Sequence, residues 1–181
     1  HAHRDLHLVL VVADLLERYG KGLIATTGCP SGEVNMWLRA GKEERARQAA
    51  ADFQDIFGKE NFYAELMDHG LSIEKKTRPQ LLAIAADLGM PLLATNDLHY
   101  THKEDAQAHD ALLCIQTGSR LNEPNRFKFN GDGYYLKSAA EMRALFPGDL
   151  KIACDNTLLI AEQMIFSSTF CPLSIPRTHK V

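Results

Sequence analysis

Asp97 and His99 stand two residues apart at the end of a short apolar run, Pro91-Leu92-Leu93-Ala94. Such a run reads as a buried strand. Side chains two apart on an extended chain share a face, so a carboxylate oxygen and an imidazole nitrogen would leave the strand together. Those donors suit a divalent metal such as Zn or Mn. A turn-capping Asp beside a packed His would carry the same residues. Cys29 follows another apolar run, Gly22–Thr27, in the turn Gly28-Cys29-Pro30-Ser31-Gly32. Its thiol is a candidate metal ligand or nucleophile, or else a small buried hydrophobe. His7 heads the β-branched run Leu8–Val12 and is a further candidate imidazole ligand. His1 and His3 sit at the start of the sequence with no scaffold before them. Glu65, Asp68 and His69 end a third strand-like run. Glu65 is expected to face inward there, and Asp68-His69-Gly70 reads as a turn. His102 and His109 are expected at solvated positions.

The elements that must position these residues follow from hydrophobic periodicity. Leu6–Val12, Gly22–Thr27, Asn61–Met67 and Pro91–Thr95 read as strands. Leu15–Gly20, Glu33–Arg39, Lys42–Phe57 and Arg78–Leu88 read as helices, the last closed by Gly89. Strand alternating with helix argues for parallel βα units. In such folds the strand C-termini carry the chemistry, which is where Cys29, Asp97 and His99 fall. After Tyr100 the texture changes. Lys103–Ile115 reads as a helix and Gln116–Asn125 as a polar loop. Arg126–Phe129 and Tyr134–Leu136 flank Asn130-Gly131-Asp132-Gly133, a hairpin signal. Ser138 with Glu141 three residues on predicts a capped helix, Ala139–Phe146. Ile152–Met164 reads as a further helix and Ile165–Val181 as an irregular tail.

The 181 residues are 45% hydrophobic and 24% charged, which fits one globular domain. A formal net charge of -3 gives no global field for nucleic acid. Any such contact is local, and Arg126 and Lys128 are its candidates. With Arg120 and Lys137 they interleave with Phe127, Phe129, Tyr134 and Tyr135, a basic-aromatic mixture that suits a nucleic-acid backbone. A hairpin with one apolar and one charged face would look the same. No apolar run approaches the roughly 18 residues of a membrane span, and the first residues do not read as a signal peptide. Four scattered cysteines without a CxxC suggest reduced thiols in a cytoplasmic protein.

Four segments carry a family resemblance: GLIATTGCPSGEV (Gly22–Val34), FYAELMDHGLSIE (Phe62–Glu74), PLLATNDLHYTHKEDAQAHDALLCIQTG (Pro91–Gly118) and RFKFNGDGYYLKSAAEMRALF (Arg126–Phe146). Their order and spacing over Leu15–Gln163 resemble the PHP (polymerase and histidinol phosphatase) domain of bacterial DNA polymerase III alpha subunits, with an actinobacterial texture. The resemblance implies an α/β fold, a partial distorted (β/α)7 barrel lacking its N-terminal strands. It also implies a divalent metal cluster at the strand ends. On the matching motifs Cys29, Asp97 and His99 are the implied ligands, with His7 a fourth from a strand resembling HLxLLA. The implied activity is a metal-dependent 3′–5′ exonuclease in support of DNA synthesis; the alternative is a non-catalytic scaffold or truncated remnant that stabilises the polymerase or is inactive. Implied partners are DNA, the remainder of the alpha subunit and other holoenzyme subunits, in the cytoplasm. The family's N-terminal HxH strand, TDHG turn and EAY-type glutamate have no match, nor does its polymerase domain. The sequence is therefore expected to be a fragment: residues 1–14 divergent, 15–163 the C-terminal part of a PHP domain, and 164–181 a tail.

Overall fold

Three of the apolar runs meet as a parallel sheet. The computed structural model describes residues 15–168. In it β1 (Ala25–Thr26), β2 (Phe62–Leu66) and β3 (Leu92–Ala94) lie in the order β1-β2-β3. Ala25 pairs with Phe62, and Ala64 with Leu92. All three strands run the same way, so their C-terminal ends share one edge, from which the loops bearing Cys29, His69 and Asp97 leave. The expected strand Leu6–Val12 and His7 lie outside the described residues.

Helices cover the sheet. After a helical stretch at residues 15–19 come α1 (Glu33–Arg39), α2 (Glu43–Phe57), α3 (Ser72–Leu88), α4 (Ala106–Thr117), α5 (Ala139–Leu145) and α6 (Lys151–Ser168). Ala46, Ala49 and Ala50 form the buried stripe of α2. Their small side chains let the helix approach β2 closely. Phe53, Phe57 and Phe62 then fill the space beyond, with ring centroids 5.4 to 6.5 Å apart. Val34, Leu38, Leu81, Ile84, Phe146 and Ala153 complete one continuous core. Gly89 closes α3 in the left-handed region (φ 66), where a glycine carries no Cβ penalty. Ser138 caps α5 by accepting from the Glu141 N–H, while the Glu141 carboxylate accepts from the Ser138 N–H.

Three expectations need correcting. Helix α3 begins at Ser72, six residues before the expected Arg78, and runs through Pro79. A proline inside a helix removes one backbone hydrogen bond. Here the buried Thr77, Leu81 and Ile84 around it hold the helical path through packing. Helix α6 runs to Ser168, four residues beyond the expected end. The hairpin around Asn130–Gly133 does not form. Instead, Tyr134 O accepts from the His99 N–H (2.9 Å), Leu136 N–H donates to Tyr100 O (3.2 Å), and Tyr100 bridges Tyr135 in parallel. The backbone after β3 thus takes the hydrogen bonds that a hairpin partner would have used. Among the described residues the strands form an open three-stranded sheet; no closed barrel is seen.

Candidate functional site: the strand ends

Glu65 sits near the end of β2, between the ends of the other two strands. Its carboxylate accepts from Thr26 Oγ1 (2.5 Å) and Thr95 Oγ1 (2.6 Å), while its N–H donates to Thr27 Oγ1 (3.0 Å). One side chain therefore ties all three strands together. This agrees with an inward-facing Glu65, and it commits both carboxylate oxygens to the chain itself.

The loop after β1 carries Cys29. It is held from above by the buried Asn35 of α1, whose Nδ2 donates to Gly28 O (3.0 Å) and Cys29 O (3.2 Å). Arg39 donates to Pro30 O (3.1 Å). The turn is so tight that a Cβ on Gly32 would come within 2.3 Å of Thr27 O. That explains Gly32, while Gly28 takes a positive φ of 74. Cys29 is a free thiol, partly exposed.

His69 follows β2. Its side chain is only 2% exposed and faces two acceptors: Nδ1 lies 2.8 Å from Glu74 Oε1, and Nε2 lies 2.9 Å from Asn96 O. A neutral imidazole has one N–H, so satisfying both acceptors requires the protonated ring. Burial opposes that charge, but the hydrogen bond to Glu74 and then that to Asn96 O outweigh it, so the His69 pKa lies above its usual 6.5. For Glu74 burial likewise opposes ionisation. The hydrogen bonds from the His69 ring and from the His69 and Leu71 N–H groups win, and its pKa lies below the usual 4.5. The ring also stacks on Tyr134 at 4.1 Å, a cation over an aromatic face. Sequence reading took Asp68-His69-Gly70 as a turn and missed this pair. The available signal was Glu74 at the third position of a helix starting after that turn.

The sign of the pH dependence follows. A raised His69 pKa stabilises the fold below about 6.5, and this contribution is lost as pH rises through the folded-state value. A lowered Glu74 pKa stabilises above about 4.5, and this contribution is lost as pH falls through its folded-state value. The pair therefore contributes most between those two values. Thermal melts of wild type and a His69→Gln/Glu74→Gln double variant, compared from pH 4 to 9, are expected to differ most within that window.

The loop after β3 carries Asn96, Asp97 and His99. Asn96 Nδ2 donates to Gly133 O (3.0 Å) and Tyr135 O (2.7 Å), and Asn96 Oδ1 accepts from Lys137 Nζ (2.8 Å). Lys137 also donates to Gly133 O. Burial lowers the Lys137 pKa. Asp97 has φ 44, the one non-glycine residue with positive φ among those described. Aspartate tolerates that region better than most side chains. The turn brings His99 Nδ1 to 2.6 Å from Asp97 O and 3.7 Å from Asp97 Oδ1. A carbonyl only accepts, so Nδ1 carries the proton. In the neutral ring this leaves the Nε2 lone pair as the basic one, the nitrogen a metal would use. The ring packs on Phe129 (4.6 Å), His109 (5.2 Å) and Tyr134 (5.8 Å).

Among the described residues the donor set falls short of a metal centre. Asp97 and His99 form a pair in the loop after β3, and Cys29 lies in the loop after β1, with β2 between the two strands. Among the described residues, however, no three His, Cys, Asp or Glu side chains gather closely enough to hold an ion. Glu65, His69 and Glu74 are occupied by one another and by the chain. The two residues expected to meet nucleic acid also differ. Arg126 has a side chain only 7% exposed and grips both carboxylate oxygens of Asp110 at 2.5 Å. Its guanidinium further donates to Leu121 O. Lys128 is exposed.

Parallel βα units, a TTGCPSGE turn locked after one strand and a TND-x-HY turn after another define a PHP-type α/β domain, and the PHP domain family profile matches residues 4–69. The chain is 57% identical over 83% of its length to DNA polymerase III subunit alpha of Saccharopolyspora erythraea. The alpha subunits of Mycobacterium tuberculosis (55% over 84%) and Treponema pallidum (39% over 91%) are similar too. The chain belongs to the DNA polymerase III alpha-subunit family. It spans about 13% of the length of each of these relatives.

Proposed function

We propose that this chain serves as a scaffold within a replicative DNA polymerase alpha subunit, in the cytoplasm. Its partners would be DNA, the remainder of the alpha subunit and other holoenzyme subunits. The observation that carries this reading is the state of the strand ends. Glu65, His69, Glu74, Asn96 and Lys137 are consumed in cross-linking the loops to one another. A multi-ion phosphoesterase needs several oxygen and nitrogen donors left free and converging. Among the described residues that ground is used for rigidity. The family's relatives bear the name of a DNA polymerase subunit, so DNA-directed DNA polymerisation is proposed for the whole assembly.

A second reading, uptake of a single Zn or Mn ion, is favoured by the tautomer of His99 and its approach to Asp97. Asp97, His99 and Cys29 would supply oxygen, nitrogen and sulfur, with His7 as a fourth donor. One experiment separates the readings: elemental analysis of the purified chain, with a 3′–5′ exonuclease assay on single-stranded and mispaired DNA. A Cys29→Ala/Asp97→Ala/His99→Ala variant runs alongside. The scaffold reading expects metal content and nucleotide release both no greater than the variant's, whereas one ion per chain lost in the variant, without nucleotide release, supports the single-ion reading. Stoichiometric metal with nucleotide release, both lost in the variant, would overturn it.

A further inference from the structure

Beside the strand ends lies a cavity of about 270 Å³ between α4 and the loop 126–131, walled by Tyr100, Gln107, His109, Asp110, Arg126 and Lys128. Its charges are unequal. Arg126 and Asp110 neutralise each other in a two-point ion pair. Lys128 makes no ion pair among the described residues, although its charge acts on Asp110 as well, so the lining carries one more cation than it has anions. The Arg126–Asp110 pair instead anchors the loop to α4 and fixes what flanks it. Phe127, between Arg126 and Lys128, is 59% exposed. Its ring meets Phe129 edge-on at 5.9 Å, and Phe129 is wedged against His109 (5.0 Å), His99 (4.6 Å) and Tyr134 (4.7 Å). An exposed aromatic ring, next in sequence to Lys128, is thus backed by a stack of packed rings, one of which, Phe129, lines the polar cavity.

We propose that this cavity and the Phe127 ring form a binding site for single-stranded nucleic acid, with a backbone phosphate against Lys128 and a base stacked on Phe127. The site rests on the reading of the chain as part of a nucleic-acid-handling polymerase and gives that reading an address. Stacking needs an unpaired base face, which a duplex does not offer. The phosphate is read by one lysine and polar neighbours, so the site takes backbone charge without reading sequence. The sugar is not distinguished by any of these contacts, and DNA and RNA strands share the chemistry.

The test is fluorescence anisotropy of labelled oligo-dT, oligo-U and a duplex titrated with the full chain across a salt series. Phe127→Ala is expected to weaken oligo-dT binding about tenfold or more, the loss of one base stack, with little change in salt slope. Phe127→Tyr is expected to restore it, which a loss of fold would not allow. Lys128→Gln is expected to flatten the plot of log affinity against log salt by about 0.7, one phosphate contact on a single strand. Lys42→Gln, an exposed lysine outside the site, is expected to change neither. Tighter binding of oligo-dT or of oligo-U would support the site and name the natural strand. Oligo-dT binding indifferent to both Phe127→Ala and Lys128→Gln would overturn this site and leave the nucleic-acid reading standing. Duplex bound as well as single strand would overturn the stacking. No binding of any strand at low salt would overturn the site together with the nucleic-acid partner.

Discussion

Glu74→Ala is expected to destabilise the chain by about 3–5 kcal/mol, the range for removing one partner of a buried ion pair. The carboxylate is 5% exposed and neutralises a His69 ring that is 2% exposed. It also accepts from two backbone N–H groups, at His69 and at Leu71. Deleting it leaves a buried imidazolium uncompensated and opens the first turn of α3. Burial is the largest influence on His69 and acts to lower its pKa, so without Glu74 the ring is expected to titrate below 6.5. Urea denaturation and an NMR titration of His69 read these two effects separately. A double-mutant cycle with His69→Ala should show strong coupling, because the second substitution removes the charge the first one stranded. Additive losses would mean that the pair is not the unit described.

Phe146→Ala is expected to cost about 3–5 kcal/mol through the cavity it leaves. The ring has no exposure and sits in the core where α5 ends. Its face lies 5.9 Å from the Arg78 guanidinium, which in turn donates to Met67 O (2.7 Å) and Asp68 (3.0 Å) in the loop before His69. The loss should therefore reach the strand ends. Chemical denaturation gives the stability. A second expected sign is a shift in the His69 resonance, and its absence would confine the effect to the core.

Much of this was legible in the sequence because strand and helix alternate with clean periods. Three apolar runs with Gly-rich or polar exits already place Cys29, His69 and Asp97 on one edge. The first turns of α3 were hidden by Pro79, a local breaker overridden by the burial of Thr77, Leu81 and Ile84. The hairpin failed for the opposite reason. Asn130-Gly131-Asp132-Gly133 has strong local turn chemistry, yet residues 99–101 compete for the backbone of residues 134–136 and win. The His69–Glu74 pair depends on where α3 starts, so missing the helix start meant missing the pair. Arg126 and Lys128 look equivalent in sequence. Only the tertiary position of Asp110, sixteen residues earlier, turns one into an anchor and leaves the other exposed, without an ion pair among the described residues.

The position of Glu65 has a consequence for how the molecule breathes. Strands of two, five and three residues are too short to persist as independent pieces. A single carboxylate bridging the outer two through Thr26 and Thr95 couples their openings, because releasing either strand strands a polar group on the other. The sheet is therefore expected to open all at once, as one cooperative unit, so that hydrogen exchange should give the amides of β1, β2 and β3 a common free energy. The loop at residues 121–131, tied to α4 through Arg126 and Asp110, lies outside the sheet and is expected to exchange separately.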